Sequence, residues 1–254
     1  MPIDRPRLRP LVGRRCAGVA LGLQAALLGV GSSLALTAAA PPAHAIPEAE
    51  AVKKLSVVPV FILTNDKGMP LPIPKDKTLI LPMYLEKAKA DQALADFSKA
   101  NPQIKAQVVA LPLNVANERI TALSKELKDG RTLVAPVIPA DADRQQAAQI
   151  LKQQGLSQKE IDEGLSLPVF FTKPFLTVKT PQGPRGVFFM SYADLQKALA
   201  GVPNKAELKV QTADLTAVLR EIIKAKEDSY VFFPTAEYFR LVEEQKRKAG
   251  GNRP

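Results

Sequence analysis

Short apolar runs rich in β-branched and aromatic residues alternate along this chain with longer stretches whose apolar positions recur every three or four residues. The first pattern marks strands covered on both faces, the second helices with one buried stripe. In the first half, residues 57–63 form such a run, Asn65-Asp66-Lys67-Gly68 is a turn, and 69–73 predicts the return strand. Prolines at 70, 72 and 74 make that return irregular or confine it to a sheet edge. Residues 78–83 predict a strand. Residues 85–100 predict a helix, with Leu85, Ala90, Leu94 and Phe97 near one face and Asn101-Pro102 as its stop. A strand over 106–111 precedes a helix over 114–128, where Ala116, Ile120, Leu123 and Leu127 form one apolar stripe. A strand over 133–138 and a helix over 141–154, ended by Gly155, complete this half.

Ser157 and Glu160 form a capping box for a short helix over 157–163. The order is then replayed. Strands are predicted at 169–171 and 175–178, a turn at 180–184, and a strand at 186–190. A helix runs from Ser191 to Ala200 and is closed by Gly201. A strand over 207–211, a strongly amphipathic helix over 214–226, a strand over 230–233 and a helix from the Thr235 cap to about Lys248 follow.

The replay is visible in the residues. Val58-Pro59-Val60-Phe61 returns as Leu167-Pro168-Val169-Phe170, offset by 109. Leu81-Pro82-Met83-Tyr84-Leu85 matches Gly186-Val187-Phe188-Phe189-Met190, residues 113–120 match 215–222 at an offset of 102, and Pro139 matches Pro234. A repeat of roughly one hundred residues is too long for a solenoid unit. It predicts an α+β fold of two pseudo-symmetric half-domains, 46–155 and 156–248, with a mixed or largely antiparallel sheet flanked by helices and a frayed tail at 249–254. Two similar halves make a groove between them, where ligands tend to bind.

Residues 1–45 stand outside this pattern. Arg5, Arg7, Arg9, Arg14 and Arg15 precede an uncharged stretch over 16–40, and Ala43-His44-Ala45 is a small-x-small cleavage signal. The expectation is a cleaved secretory signal peptide, with a retained membrane anchor as the alternative. Cleavage after Ala45 leaves 209 of the 254 residues and lowers the formal net charge from +10 to +6, because five arginines and one aspartate depart. What remains is partly gathered in the tail, at Lys246, Arg247, Lys248 and Arg253, and suits an anionic lipid or protein surface rather than nucleic acid. The only cysteine, Cys16, and the only histidine, His44, lie in the leader, and there is no tryptophan. Disulfides, thiol chemistry, histidine bases and most transition-metal sites are thereby excluded from the mature chain.

The remaining candidates for chemistry are carboxylates: Asp141 with Asp143, Asp162 with Glu163, and Glu243 with Glu244. Each pair lies in or beside a polar helical stretch and is expected to be solvated surface. No Gly-x-Ser-x-Gly elbow, P-loop or calcium loop is present. The chain is therefore expected to be no enzyme and to carry no cofactor or metal. The unusual residues are apolar. Phe170, Phe171, Phe175, Phe188, Phe189, Phe232 and Phe233 crowd the second half, and Phe61, Met69 and Met83 lie on or beside strands of the first. Adjacent phenylalanines in a strand face opposite ways. Either the sheet is buried on both sides or one face offers an apolar groove for extended polypeptide, with methionines adapting to varied contacts. On the second reading, the Phe170 copy is expected to contribute more groove surface than the Phe61 copy.

The Val58-Pro59-Val60-Phe61 strand with its Thr64-Asn65-Asp66-Lys67-Gly68-x-Pro70 turn resembles the Tic twenty-two family of cyanobacteria and chloroplasts. So do the Pro-Val-Phe-Phe at 168–171 and Gly-Val-Phe-Phe-Met-Ser-Tyr-Ala-Asp-Leu at 186–195. The resemblance covers about 46–240 and implies two pseudo-symmetric halves with apolar pockets. It further implies a soluble periplasmic chaperone in protein translocation and outer-membrane biogenesis, with the thylakoid lumen as the other compartment. Its partners would be unfolded outer-membrane protein precursors and the outer-membrane β-barrel assembly machinery. The alternative is a structural adaptor at an anionic membrane surface, without a client groove.

Overall fold

The tetrapeptide that occurs twice opens the central strand of each half. The computed structural model describes residues 46–127, 130–225 and 227–250, all within the compact unit Pro42–Pro254. The expected leader and the last four residues of the expected tail lie outside the described residues. The chain enters through a short helix, α1 (Glu48–Lys53), and a 3-10 turn at Lys54–Val57. Strand β1 (Pro59–Asn65) follows. Asn65 Oδ1 accepts from the N–H groups of Lys67 and Met69 at 3.0 and 2.9 Å, and Gly68 takes a φ of +76° to complete the turn. The return is as irregular as its prolines predict: a single bridge joins Pro70 to Thr64 before β2 (Ile73–Lys75) forms.

The strand expected over 78–83 is two, β3 (Thr78–Ile80) and β4 (Met83–Tyr84). After α2 (Lys87–Ala100), β5 (Ala106–Pro112) and α3 (Leu113–Glu126), the strand expected over 133–138 is likewise two, β6 (Thr132–Val134) and β7 (Val137–Ile138). Pro82 and Pro136 lie at the breaks and have no N–H to donate. Leu81 N–H donates to Val134 O at 2.8 Å and Met83 N–H to Pro136 O at 2.9 Å, so the paired breaks run side by side. Helix α4 (Asp141–Gln153) and α5 (Gln158–Gly164) then cross to the second half. The capping box of α5 forms as its sequence predicts: Glu160 N–H donates to Ser157 Oγ, and Ser157 N–H to Glu160 Oε2 at 2.8 Å.

The second half contains β8 (Pro168–Lys173), β9 (Thr177–Thr180), β10 (Gly183–Phe188) and α6 (Tyr192–Ala200). It closes with β11 (Lys209–Asp214), α7 (Leu215–Lys224), β12 (Tyr230–Phe232) and α8 (Ala236–Gly250). Strand β9 starts later than expected, after a turn in which Leu176 N–H donates to Thr172 Oγ1 at 2.8 Å. Helix α8 runs on through the start of the expected frayed tail.

Three sheets are mixed, in the orders β5-β1-β4-β7, β2-β3-β6 and β12-β10-β9, and the two-stranded β11-β8 is antiparallel. Strand pairing follows one scheme in both halves. Antiparallel β1–β5 sets Phe61 opposite Ala110, and antiparallel β8–β11 sets Phe170 opposite Thr212. Phe61 also pairs with Tyr84 as Phe170 pairs with Phe189. Parallel β4–β7 sets Met83 beside Val137, and parallel β10–β12 sets Phe188 beside Phe232. Leu113 N–H donates to Val58 O as Leu215 N–H does to Leu167 O.

The main core draws on both halves. Val58, Val60, Ile62 and Met83 meet Leu167, Val169, Phe188 and Met190, with Leu113 and Ala116 of α3 and Leu215, Val218 and Ile222 of α7 closing it. A second core lies behind β8 and β10, where Phe170, Val187 and Phe189 are covered by Ala147 of α4, Ile161 of α5, and Leu195 and Leu199 of α6. Helix α4 is encoded in the first half yet packs on strands of the second.

Gly186 sits where a Cβ would lie 3.1 Å from the rings of both Phe175 and Tyr230. Those rings are held 5.2 Å apart within a larger aromatic cluster and have little room to yield. Gly186→Ala is expected to lower stability by about 1–2 kcal/mol. Urea unfolding followed by circular dichroism measures this, and an unchanged midpoint would show that the rings give way freely.

Candidate functional site

The aromatic residues singled out in the sequence go mainly to packing. Phe61, Met83, Phe170, Phe188, Phe189 and Phe232 are buried, and Phe171, Phe175 and Phe233 are half-buried. In the second half the rings form a closed network. Phe171 stacks on Phe175 at 5.3 Å, and Phe188 meets Phe171, Phe175, Tyr230 and Phe232 at 5.3–5.7 Å. On the other face Phe189 packs on Phe233 at 5.1 Å and Phe170 on Tyr192 at 5.5 Å. Neither Phe61 nor Phe170 reaches the surface, so the larger groove share expected of the Phe170 copy does not arise. The reason is cover: α4, α5 and α6 lie over the face on which Phe170 sits.

Among the described residues, three of the four exposed large apolar residues lie in the first half, the fourth being Phe239 on α8. Met69 is 56% exposed, Ile73 51% and Val134 46%. Register explains two of them. Ile73 lies opposite Ile80 across β2–β3, and Ile80 lies beside Val134 across β3–β6, so the three make one apolar row across a narrow sheet. A cavity of about 440 Å³ opens between this proline-rich return and α2, lined by Leu63, Pro72, Pro74, Tyr84 and Phe97 among others. A second, of about 400 Å³, runs from Met69 past Leu79 and Leu133 to Leu123 on α3. Of the ten residues proposed from the sequence as client contacts, Met69 lines one of these openings. Ile73, Val134 and the prolines were missed, because neither β-branched strand residues nor turn prolines stand out by type.

The corresponding row of the second half is sealed. At the positions matching Ile73, Ile80 and Val134 the pairing places Val178, Arg185 and Ser229. Arg185 and Lys54, both largely buried, form ion pairs with the two oxygens of Asp228. Burial pushes the Asp228 carboxyl up, but hydrogen bonds from Lys54 and Arg185 outweigh it and hold the group below the usual carboxylate range.

The carboxylate pairs divide. Asp141 is exposed and pairs with Lys89 at 2.6 Å, and Asp162, Glu163, Glu243 and Glu244 are exposed as expected. Asp143 departs from that expectation. It lies one helical turn before Ala147 on the inner face of α4, is buried, and accepts the Tyr192 N–H at the start of α6 at 2.7 Å. Burial raises its pKa to about 6. The Tyr192 N–H opposes the rise, and the charges of Glu86 and Asp194 add to it. An acid in the first helical turn ordinarily complements the dipole, so nothing in its type marked Asp143 as buried. Among the described residues no group of three or more Cys, His, Asp or Glu is arranged to hold a metal ion. Among them, too, no helix is long and apolar enough to cross a membrane.

No family model and no curated protein matches this chain. Solved structures similar to it include two Tic22 proteins. One is Anabaena Tic22 (protein transport), with 23% identity, a TM-score of 0.63, and coverage of 78% of this chain and 96% of that one. The other is Tic22 from Plasmodium falciparum, with 18% identity, a TM-score of 0.62, and coverage of 78% and 98%. The fold is Tic22-like.

Asp143 makes stability depend on pH in a defined direction. Its pKa is 3.8 in an ordinary carboxyl and about 6 here, so the folded state binds this proton more tightly than the unfolded one. The contribution is fully present below the ordinary value and is lost as pH rises through about 6. Asp143→Asn keeps an acceptor for Tyr192. It is expected to stabilise the protein at pH 7 by on the order of 1 kcal/mol, after allowance for solvent screening, with the difference vanishing near pH 4. Denaturant melts of both proteins across that range measure it, and a pH-independent difference would contradict the account.

Proposed function

We propose that this chain is an exported protein-transport factor that holds extended apolar segments of unfolded outer-membrane proteins on the first half of its fold. The observation that carries the reading is the open apolar surface made by Met69, the Ile73–Ile80–Val134 row and the adjoining cavities. Contiguous exposed apolar surface of this kind marks an interaction site. Its construction suits a holder. The edge strand β2 carries Pro74 and follows Pro72, neither of which has an N–H to offer an incoming strand. A client is therefore contacted through side chains and is not templated into a growing sheet.

The leader-like sequence at 1–45 supports export to a periplasm or thylakoid lumen. There an apolar holder would keep barrel precursors, whose strands alternate apolar and polar residues, from pairing before delivery to the β-barrel assembly machinery. The Tic22-like fold supports a part in protein transport, the role of the similar Anabaena protein. The role asks for no catalytic group and no cofactor.

The combined variant Met69→Ser, Ile73→Ser, Val134→Ser changes exposed side chains and is expected to fold with stability close to that of the parent. Light scattering of a porin diluted from urea is expected to be suppressed by the parent protein at equimolar ratio and far less by the variant. Equal suppression by both would reject the surface; no suppression by either would reject the holding role.

A membrane-surface adaptor is the second reading, favoured by the basic end of α8. Lys246, Arg247 and Lys248 are exposed there, and Phe239 stands 48% exposed earlier on the same helix. Flotation with anionic liposomes is expected to weaken on truncation after Glu244 if this reading holds. Binding that survives truncation would remove the basic end from the account.

A further inference from the structure

Between β1, β5 and α3 lies a cavity of about 270 Å³, walled by Ile62, Leu81, Val109, Leu111, Ile120 and Leu123. It shares Pro70, Leu81, Leu123 and Glu126 with the 400 Å³ cavity under Met69, so the two adjoin and together offer the course of an apolar channel. Only three polar side chains line the inner cavity: Thr64, Arg119 and Glu126. Thr64 is 2% exposed, and its hydroxyl has no hydrogen-bond partner among the described residues. Arg119 is exposed and forms no ion pair among the described residues. Glu126 belongs to both cavities, whereas Thr64 and Arg119 belong to the inner one. On α3, Arg119 and Glu126 are seven residues apart, which is about two helical turns or roughly 10 Å along one face.

We propose that this channel binds a free fatty acid, with its carboxylate between Thr64 and Arg119 and its single hydrocarbon chain running past Leu123 toward Leu79 and Leu133. A polypeptide drawn inside would bury a donor and an acceptor with every residue, and the walls offer one hydroxyl in place of a ladder. A hydrocarbon chain has no such groups, and its single head meets the single polar corner. The buried Thr64 hydroxyl is unsatisfied in the empty protein, an unfavourable state that a carboxylate acceptor relieves. The hydroxyl is enclosed in the empty protein, so seating the carboxylate calls for rotation about χ1, between staggered rotamers of a strand threonine, to bring it to the channel. Arg119 adds a charge-assisted bond at the mouth. Glu126, placed at the far end of the same helix face, repels the carboxylate and so fixes which way the chain enters.

This goes beyond polypeptide holding and is separable from it, because Ile73 and Val134 do not line the channel. The probe is dansyl-labelled undecanoic acid, titrated into the full mature chain and displaced by unlabelled acids, their methyl esters and an extended apolar peptide. Saturable binding is expected, tightening about fourfold per added methylene until the channel is full. The ester is expected to compete about tenfold less well than the acid. Thr64→Val is nearly isosteric and removes the unsatisfied hydroxyl, and Arg119→Gln lies at the surface, so neither is expected to lower the melting temperature while both shrink the acid–ester difference. Ile73→Ser with Val134→Ser is expected to leave uptake of the probe unchanged. The proposal is overturned by absent or chain-length-independent binding, by an acid–ester difference that neither Thr64→Val nor Arg119→Gln reduces, or by displacement with the peptide and not with the acids.

Discussion

The strand that opens each half has two apolar faces, and water must be kept from both. Along β1 and the residue before it, Val58, Val60 and Ile62 look one way while Phe61 and Leu63 look the other; along β8 and the residue before it, Leu167 and Val169 oppose Phe170 in the same manner. One face of each strand is covered by the other half through the main core. The opposite face needs helices, and the second half takes one of them, α4, from the first. A half on its own would expose the face that its partner covers. Sharing of cover joins the two halves in one compact unit.

The halves answer the same need with different residues. Aromatic rings fill the second half so closely that Gly186 is the residue that fits beneath Phe175 and Tyr230. Its remaining edge is tied by Lys54 and Arg185 to Asp228, and Asp214 accepts the N–H groups of Ser166, Leu167 and Thr216 to fix the entry of α7. The first half has Pro112 at the position of Asp214 and prolines through its return hairpin. Prolines set the backbone direction without donating to a ladder, so the small sheet there is thin and its apolar residues are left partly open. The corresponding edge is thus closed by ion pairs in the second half and open in the first, and the open edge carries the surface on which function is proposed.

Much of the fold was legible because it rests on local signals. The Ser157–Glu160 capping box, the Asn65–Gly68 turn and the 4-3-4 stripe of α3 each involve residues within a few positions of one another. The offsets of the repeat reappear in the strand pairing, since equivalent residues choose equivalent partners. The breaks at Pro82 and Pro136 were not foreseen, although the prolines were plain, because a strand tolerates proline only where its N–H would point away from the ladder. That depends on which neighbour is present. The candidate site was less legible. Phenylalanine density signals burial and binding equally well, and here it signalled burial.

By itself the sequence determined the α+β order, the apolar strands with two faces to cover, and the absence of cysteine and histidine after residue 45. Periodicity and short-range capping are properties of neighbours along the chain, so they need no knowledge of the fold. Tertiary structure alone decided that α4 covers the other half, that Asp143 is buried against α6, and that the openings flank the prolines of the first half. These follow from which elements meet across a hundred residues, and a side chain's exposure is a property of what arrives to cover it rather than of its own type.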